Sequence, residues 1–118
     1  ERRAKQSPMR DVAGMLRSFD YVLSSALLRT EGTSNETRAL RERLGTEWLR
    51  ETIEAFIEGY DKAARAGGLT AATDQRRGLL ELFLLEKAIY ELNYESENRP
   101  DWLRVPLRGL LKLLGTSR

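Results

Sequence analysis

Residues 79–94, LLELFLLEKAIYELNY, decide the fold class. Leu79, Leu80, Leu82, Phe83, Leu84 and Leu85 make a helix apolar nearly all round, and such a helix is predicted to be central and buried. Its continuation through Lys87, Tyr90, Asn93 and Tyr94 turns polar. The leucine-rich end is therefore expected in the core, and the tyrosine end is expected to approach solvent or a cleft.

Working outward, Thr73 or Asp74 can cap this helix, and Gly67 and Gly68 end the one before it as a left-handed C-cap pair. That second helix is long. Leu40, Leu44, Trp48, Ile53, Phe56, Tyr60 and Ala63 track one predicted apolar face, with Ser34 or Asn35 as its cap. The first helix starts at Ser7 as N-cap with Pro8 at the first helical position, and Val12, Leu16, Phe19, Leu23 and Leu27 form its core stripe. Downstream, Asn98, Arg99 and Pro100 break the pattern and Asp101 is positioned to cap a last helix. That helix is expected from Trp102 to Leu114, with Leu103, Leu107, Leu110, Leu111 and Leu114 on its apolar side and Pro106 in its first turn. Gly115 is expected to stop it. No alternating apolar and polar run is long enough to argue for a sheet, so residues 1–118 read as one all-α domain, a bundle of four to five helices.

Composition narrows the chemistry. The chain has 118 residues, no His and no Cys, which excludes imidazole bases, thiolate nucleophiles, disulfides and cysteine zinc sites. Catalysis within these residues would rest on carboxylates, Lys, Arg, Tyr or a hard metal held by oxygen ligands. Twenty Lys and Arg against eighteen Asp and Glu leave only +2, an interspersed balance that gives no footprint for nucleic acid. No apolar stretch is long enough for a membrane span, and the first residues are charged where a signal peptide is apolar, so a soluble cytoplasmic chain is expected.

Three groups of residues carry candidate function. Glu86, Lys87, Tyr90 and Tyr94, at steps of one, three and four, can share a helix edge, where phenol rings stack on apolar sugar faces and charged groups bond hydroxyls. The same spacing equally describes a solvated Glu and Lys beside tyrosines at a core margin. Residues 98–106, NRPDWLRVP, hold two prolines, a Trp and two Arg. They read either as a rigid turn presenting Arg99, Trp102 or Arg104 to a cleft, or as a core anchor with Arg104 serving a helix C-terminus. Asp11, one turn into the first helix, is explained by the helix dipole or by a loop whose backbone it accepts from. Gly67 and Gly68 lack the lysine and serine of a phosphate loop, and the aspartates are too scattered for a calcium loop.

Two strings carry a resemblance. Residues 7–21, SPMRDVAGMLRSFDY, and residues 85–110, LEKAIYELNYESENRPDWLRVPLRGL, together resemble the C-terminal part of the bacterial maltokinases, which are also found fused to or grouped with trehalose synthase. That family is similar in fold to aminoglycoside phosphotransferases and protein kinases. Residues from about 31 to 73 carry little of the likeness. The resemblance implies the C-lobe helical subdomain of an enzyme that phosphorylates maltose, or a related glucoside, at its anomeric hydroxyl with ATP and magnesium. The nucleotide clamp, the catalytic base and the metal ligand are expected in an N-terminal kinase portion ahead of these residues, leaving the chain inactive alone. On this reading Glu86, Lys87, Tyr90, Tyr94 and Arg104 are the expected maltose contacts. Asp11 is the expected structural brace of the catalytic loop, and trehalose synthase is a possible partner. The competing expectation is a free-standing helical module that binds another protein and catalyses nothing.

Overall fold

Pro8 opens the first helix because its fixed φ suits the helical turn and its missing N–H is one that a helix start leaves unpaired. In a computed structural model that describes residues 8–29, 32–68 and 73–116, this helix, α1, runs Pro8–Leu28. Ser7, its expected cap, lies outside the described residues. Val12, Leu16 and Leu23 of the predicted stripe are buried, while Phe19 and Leu27 are half-buried. A second stripe beside it is buried too: Ala13, Arg17, Asp20 and Ser24, at steps of four, three and four. The helix is thus wrapped over more of its circumference than its apolar pattern announced.

Helix α2 spans Asn35–Ala66. Ser34 caps it, its Oγ accepting the Thr37 N–H at 3.2 Å. Its predicted apolar face is only partly used. Leu49 and Ala64 are buried, Ile53, Phe56 and Tyr60 are half-buried, and Leu40, Leu44 and Trp48 stand exposed. At the C-terminus only one of the two glycines is left-handed: Gly67 has φ −87° and Gly68 has φ +89°. The Gly67 N–H donates to the Ala63 carbonyl at 3.0 Å, continuing the helical ladder for one residue, and the reversal that needs a glycine falls on Gly68.

Helix α3, Thr73–Asn98, is less buried at its leucine-rich end than expected, while Tyr90 and Tyr94 are exposed as expected of the tyrosine end. The side chains of Thr73 and Asp74, the expected caps, lie outside those described. Leu82 is 56% exposed and Leu79 is exposed, Leu80, Phe83, Leu84 and Leu85 are half-buried, and the fully buried positions are Ala88, Glu91 and Glu95 of the polar half. Two carboxylates thus lie deeper than any leucine of the helix. The cause is pairing: both glutamates meet arginines there, so their burial leaves no uncompensated charge.

The break at Pro100 falls where expected. Arg99 takes φ −143° and ψ 74°, outside the helical region as a residue before proline must. Pro100–Trp102 then form a single 3-10 turn, and α4 follows at Arg104–Thr116. The last helix thus starts two residues later than predicted, Asp101 sits inside the turn and does not cap it, and Gly115 lies within the final helical turn. Pro106, third in α4, is among the most deeply buried residues, a position where its lack of an N–H breaks no helical bond.

The chain divides into two compact units, one of Glu1–Arg17 with Ala72–Arg118 and one of Ser18–Ala71. The second holds the edge-to-face pair Phe19 and Phe56, with ring centroids 5.7 Å apart, and Leu23 packed so closely on Gly45 that a Cβ there would collide with Leu23 Cδ1. In the first, Arg17 of α1, Glu91 of α3 and Gly109 of α4 meet. No strand occurs among the described residues, so the chain is all-α, and no helix among them is long and apolar enough to cross a membrane.

Candidate functional site

The first turns of α1 and the middle of α3 line an open cleft of about 530 Å³. Arg10, Asp11, Ala13 and Gly14 line one side, and Phe83, Glu86, Lys87 and Tyr90 line the other. Each residue arrives by helical spacing. Phe83, Glu86, Lys87 and Tyr90 recur at three or four residues on one face of α3. A Cβ on Gly14 would meet nothing within 4 Å, so the α1 wall is low there.

Arg10 bridges the two walls. Its Nη1 lies 3.2 Å from Glu86 Oε1, and its guanidinium carbon lies 4.7 Å from the Phe83 ring centroid. The side chains of this pair are 48% and 59% exposed, so water screens the attraction and its contribution to stability is about 0–1 kcal/mol. Lys87 places its Nζ 5.5 Å from the Tyr90 ring centroid, while the tyrosine remains 61% exposed. Among the described residues none donates a hydrogen bond to the Asp11 carboxylate. The cavity's formal charges are two cations and two carboxylates, which sum to zero.

Four of the residues singled out in the sequence, Asp11, Glu86, Lys87 and Tyr90, therefore share one cavity. Two do not line it. Tyr94, one turn further along α3, is half exposed, and its carbonyl accepts from Asn98 Nδ2 at 2.9 Å. Arg104 opens α4 on the exposed side.

The turn at residues 98–106 resolves differently for each residue. Arg99 donates from Nε and Nη2 to the two oxygens of Glu95, at 2.9 and 2.8 Å, and its guanidinium lies 4.4 Å from the Trp102 ring centroid. Arg99 and Trp102 are thus fastened to each other and to a buried carboxylate. Their fork-to-fork geometry makes the turn rigid.

Reading the sequence missed the most buried charges. Arg17 donates from Nε to Glu91 Oε1 at 3.0 Å and its Nη2 lies 2.9 Å from the same oxygen, with side chains only 8% and 9% exposed. The signal was present: Ala13 and Ser24, small residues in register with Arg17 and Asp20, mark a face where a neighbour approaches closely. Phe83 and Arg10, which complete the cavity, were also available from spacing, but Phe83 was absorbed into the expected core. Among the described residues no cluster of three or more acidic side chains could hold a metal ion. No protein-family model matches this chain.

Proposed function

We propose that this chain is the helical C-lobe portion of a maltokinase-type sugar kinase and forms the acceptor-sugar side of its cleft. The observation that carries the reading is the charge-balanced cavity holding Glu86, Lys87 and Tyr90 beside Arg10 and Asp11. A cavity of zero net charge gives a phosphate or nucleotide no electrostatic preference, whereas a neutral polyol finds donors and acceptors of both signs and a ring face. The strings quoted above supply the family, and the all-helical architecture agrees with a C-lobe subdomain. In this reading ATP, magnesium and the reacting groups belong to an N-terminal kinase portion, and none of their chemistry is assigned to these helices.

The test has two arms. Maltose titrated into the chain, followed by amide chemical shifts, is expected to move Lys87 and Tyr90 with weak affinity, while ATP moves neither. A polypeptide carrying a kinase N-lobe ahead of Glu1 is expected to convert maltose and ATP to maltose 1-phosphate, and K87A or Y90A to raise its maltose KM more than its ATP KM. Maltose shifts confined to residues outside the cavity, or variants that alter only the ATP KM, would remove the reading.

A further inference from the structure

Helix α4 has two faces, and neither lines the cleft. Val105, Pro106 and Gly109 are buried in the first unit, and Leu110 and Leu113 are half-buried at its margin. The opposite half of the helix is exposed and is itself divided. At about 100° per residue, Leu107, Leu111 and Leu114 fall within about 60° of each other, and Arg104, Arg108 and Lys112 fill the adjacent 80° or so. Leu107 is 44% exposed, Leu111 60% and Leu114 55%, and all three cations are exposed. The thirteen residues of α4 include no carboxylate. Nowhere else among the described helices does a leucine stripe at i, i+4 and i+7 run beside a border of one sign: the exposed Leu40, Leu44 and Trp48 of α2 stand among Arg41, Arg43 and Glu47.

From this one-sided pattern we infer that the outer face of α4 docks an acidic amphipathic helix of a partner protein. The partner's apolar stripe seats on Leu107, Leu111 and Leu114, and its carboxylates face Arg104 and Lys112. Leucines spaced four and three apart are the anchor pattern of helix-on-helix recognition, and a border of like charges sets the partner's sign and orientation. An anionic lipid surface is the weaker fit. A helix lying in a bilayer interface carries its cations on both flanks of the apolar face, and here the second flank, at Leu110, turns into the protein.

The experiment uses the whole chain and three probes. The first is a helical peptide of about 20 residues with leucines at i, i+4 and i+7 flanked by glutamates. The second is the same peptide with lysines for the glutamates, and the third is vesicles of phosphatidylserine and phosphatidylcholine. Because the chain has no cysteine, a single cysteine in place of exposed Gly115, outside the leucine stripe, carries a fluorophore that reports on the face. The glutamate peptide is expected to bind, to shift the α4 amides, and to weaken at least about fivefold between about 50 and 500 mM salt. The lysine peptide is expected to bind at least about tenfold more weakly, and R104E/K112E to reverse that preference while far-UV circular dichroism is unchanged. Equal binding of both peptides, no binding of the glutamate peptide, tighter binding to the vesicles than to the peptide, or shifts away from α4 would each overturn the inference.

Discussion

Gly109→Ala is the substitution on which the packing of the first unit can be judged. A Cβ built on Gly109 lies 2.6 Å from Arg17 Nη1, 3.0 Å from its Cζ and 3.2 Å from its Nη2. A guanidinium is usually the yielding end of a flexible chain. Here it is not free to yield, because Nε donates to Glu91 Oε1 and Nη2 lies 2.9 Å from the same oxygen as an ion pair, in a setting that is nine-tenths buried. Since the group is planar, moving Nη1 away from α4 tilts the other two nitrogens off the carboxylate. Alanine gains about 1 kcal/mol of helix propensity over glycine. Against that stand about 1–3 kcal/mol for overpacking if the pair survives, and about 3–5 kcal/mol if it breaks and leaves charge buried without its partner. The net loss is about 0–2 kcal/mol if the pair survives and about 2–4 kcal/mol if it breaks, the latter lowering Tm by roughly 10 °C or more in a chain of this size.

The assay is thermal and urea unfolding followed by circular dichroism, with Gly59→Ala as the reference. Gly59 is exposed in α2, and a Cβ there meets nothing within 4 Å, so that substitution should stabilise by about 1 kcal/mol. In an Arg17→Met background, where no guanidinium opposes the new methyl, Gly109→Ala should lose its penalty. If Gly109→Ala raises Tm as Gly59→Ala does, or costs the same with Arg17 absent, the account of this contact is wrong.

Arg17→Met or Glu91→Leu alone should each cost about 3–5 kcal/mol, while the double replacement should recover most of that loss, as a double-mutant cycle by urea unfolding would measure. Arg99→Ala should cost about 1–3 kcal/mol, because it strips the bidentate fork from a Glu95 carboxylate that is only 2% exposed, and Trp102 emission should change as the guanidinium leaves its ring. Asp11→Ala should alter the stability of the chain by less than about 0.5 kcal/mol in the same unfolding assay, since the carboxylate is exposed and no described residue donates to it. In an active polypeptide containing this chain, Tyr94→Ala and Arg104→Ala should raise the maltose KM less than Lys87→Ala and Tyr90→Ala do, because only the latter pair line the cavity.

The elements were legible in the sequence and the burial was not. Pro8, Ser34 and the Arg99–Pro100 step mark boundaries through local backbone chemistry, which acts within a few residues and is therefore written locally. Which residues of α3 lie deepest depends on partners far away in the chain. Six apolar side chains at 79–85 state a preference for burial, but Glu91 and Glu95 found arginines at positions 17 and 99, and only the first of those partners is remote enough to be hidden from a local reading. Arg99 stands four residues from Glu95, so that pair was readable as a helical ion pair. The cavity was half legible for the same reason: Glu86, Lys87 and Tyr90 share a face by spacing alone, whereas Arg10 joins them through tertiary packing.

The two ion pairs between α1 and α3 also define how the cavity is held. Arg10 meets Glu86 and Arg17 meets Glu91, so both sequences ascend together and the two helices run parallel along this contact. Seven residues separate the arginines and five separate the glutamates, about 10.5 Å and 7.5 Å of helix rise, a difference that long arginine side chains can absorb. The exposed Arg10–Glu86 pair borders the cavity, and the buried Arg17–Glu91 pair lies two turns further along α1. An entering ligand can displace the first at small cost, while the second keeps Lys87 and Tyr90 facing α1.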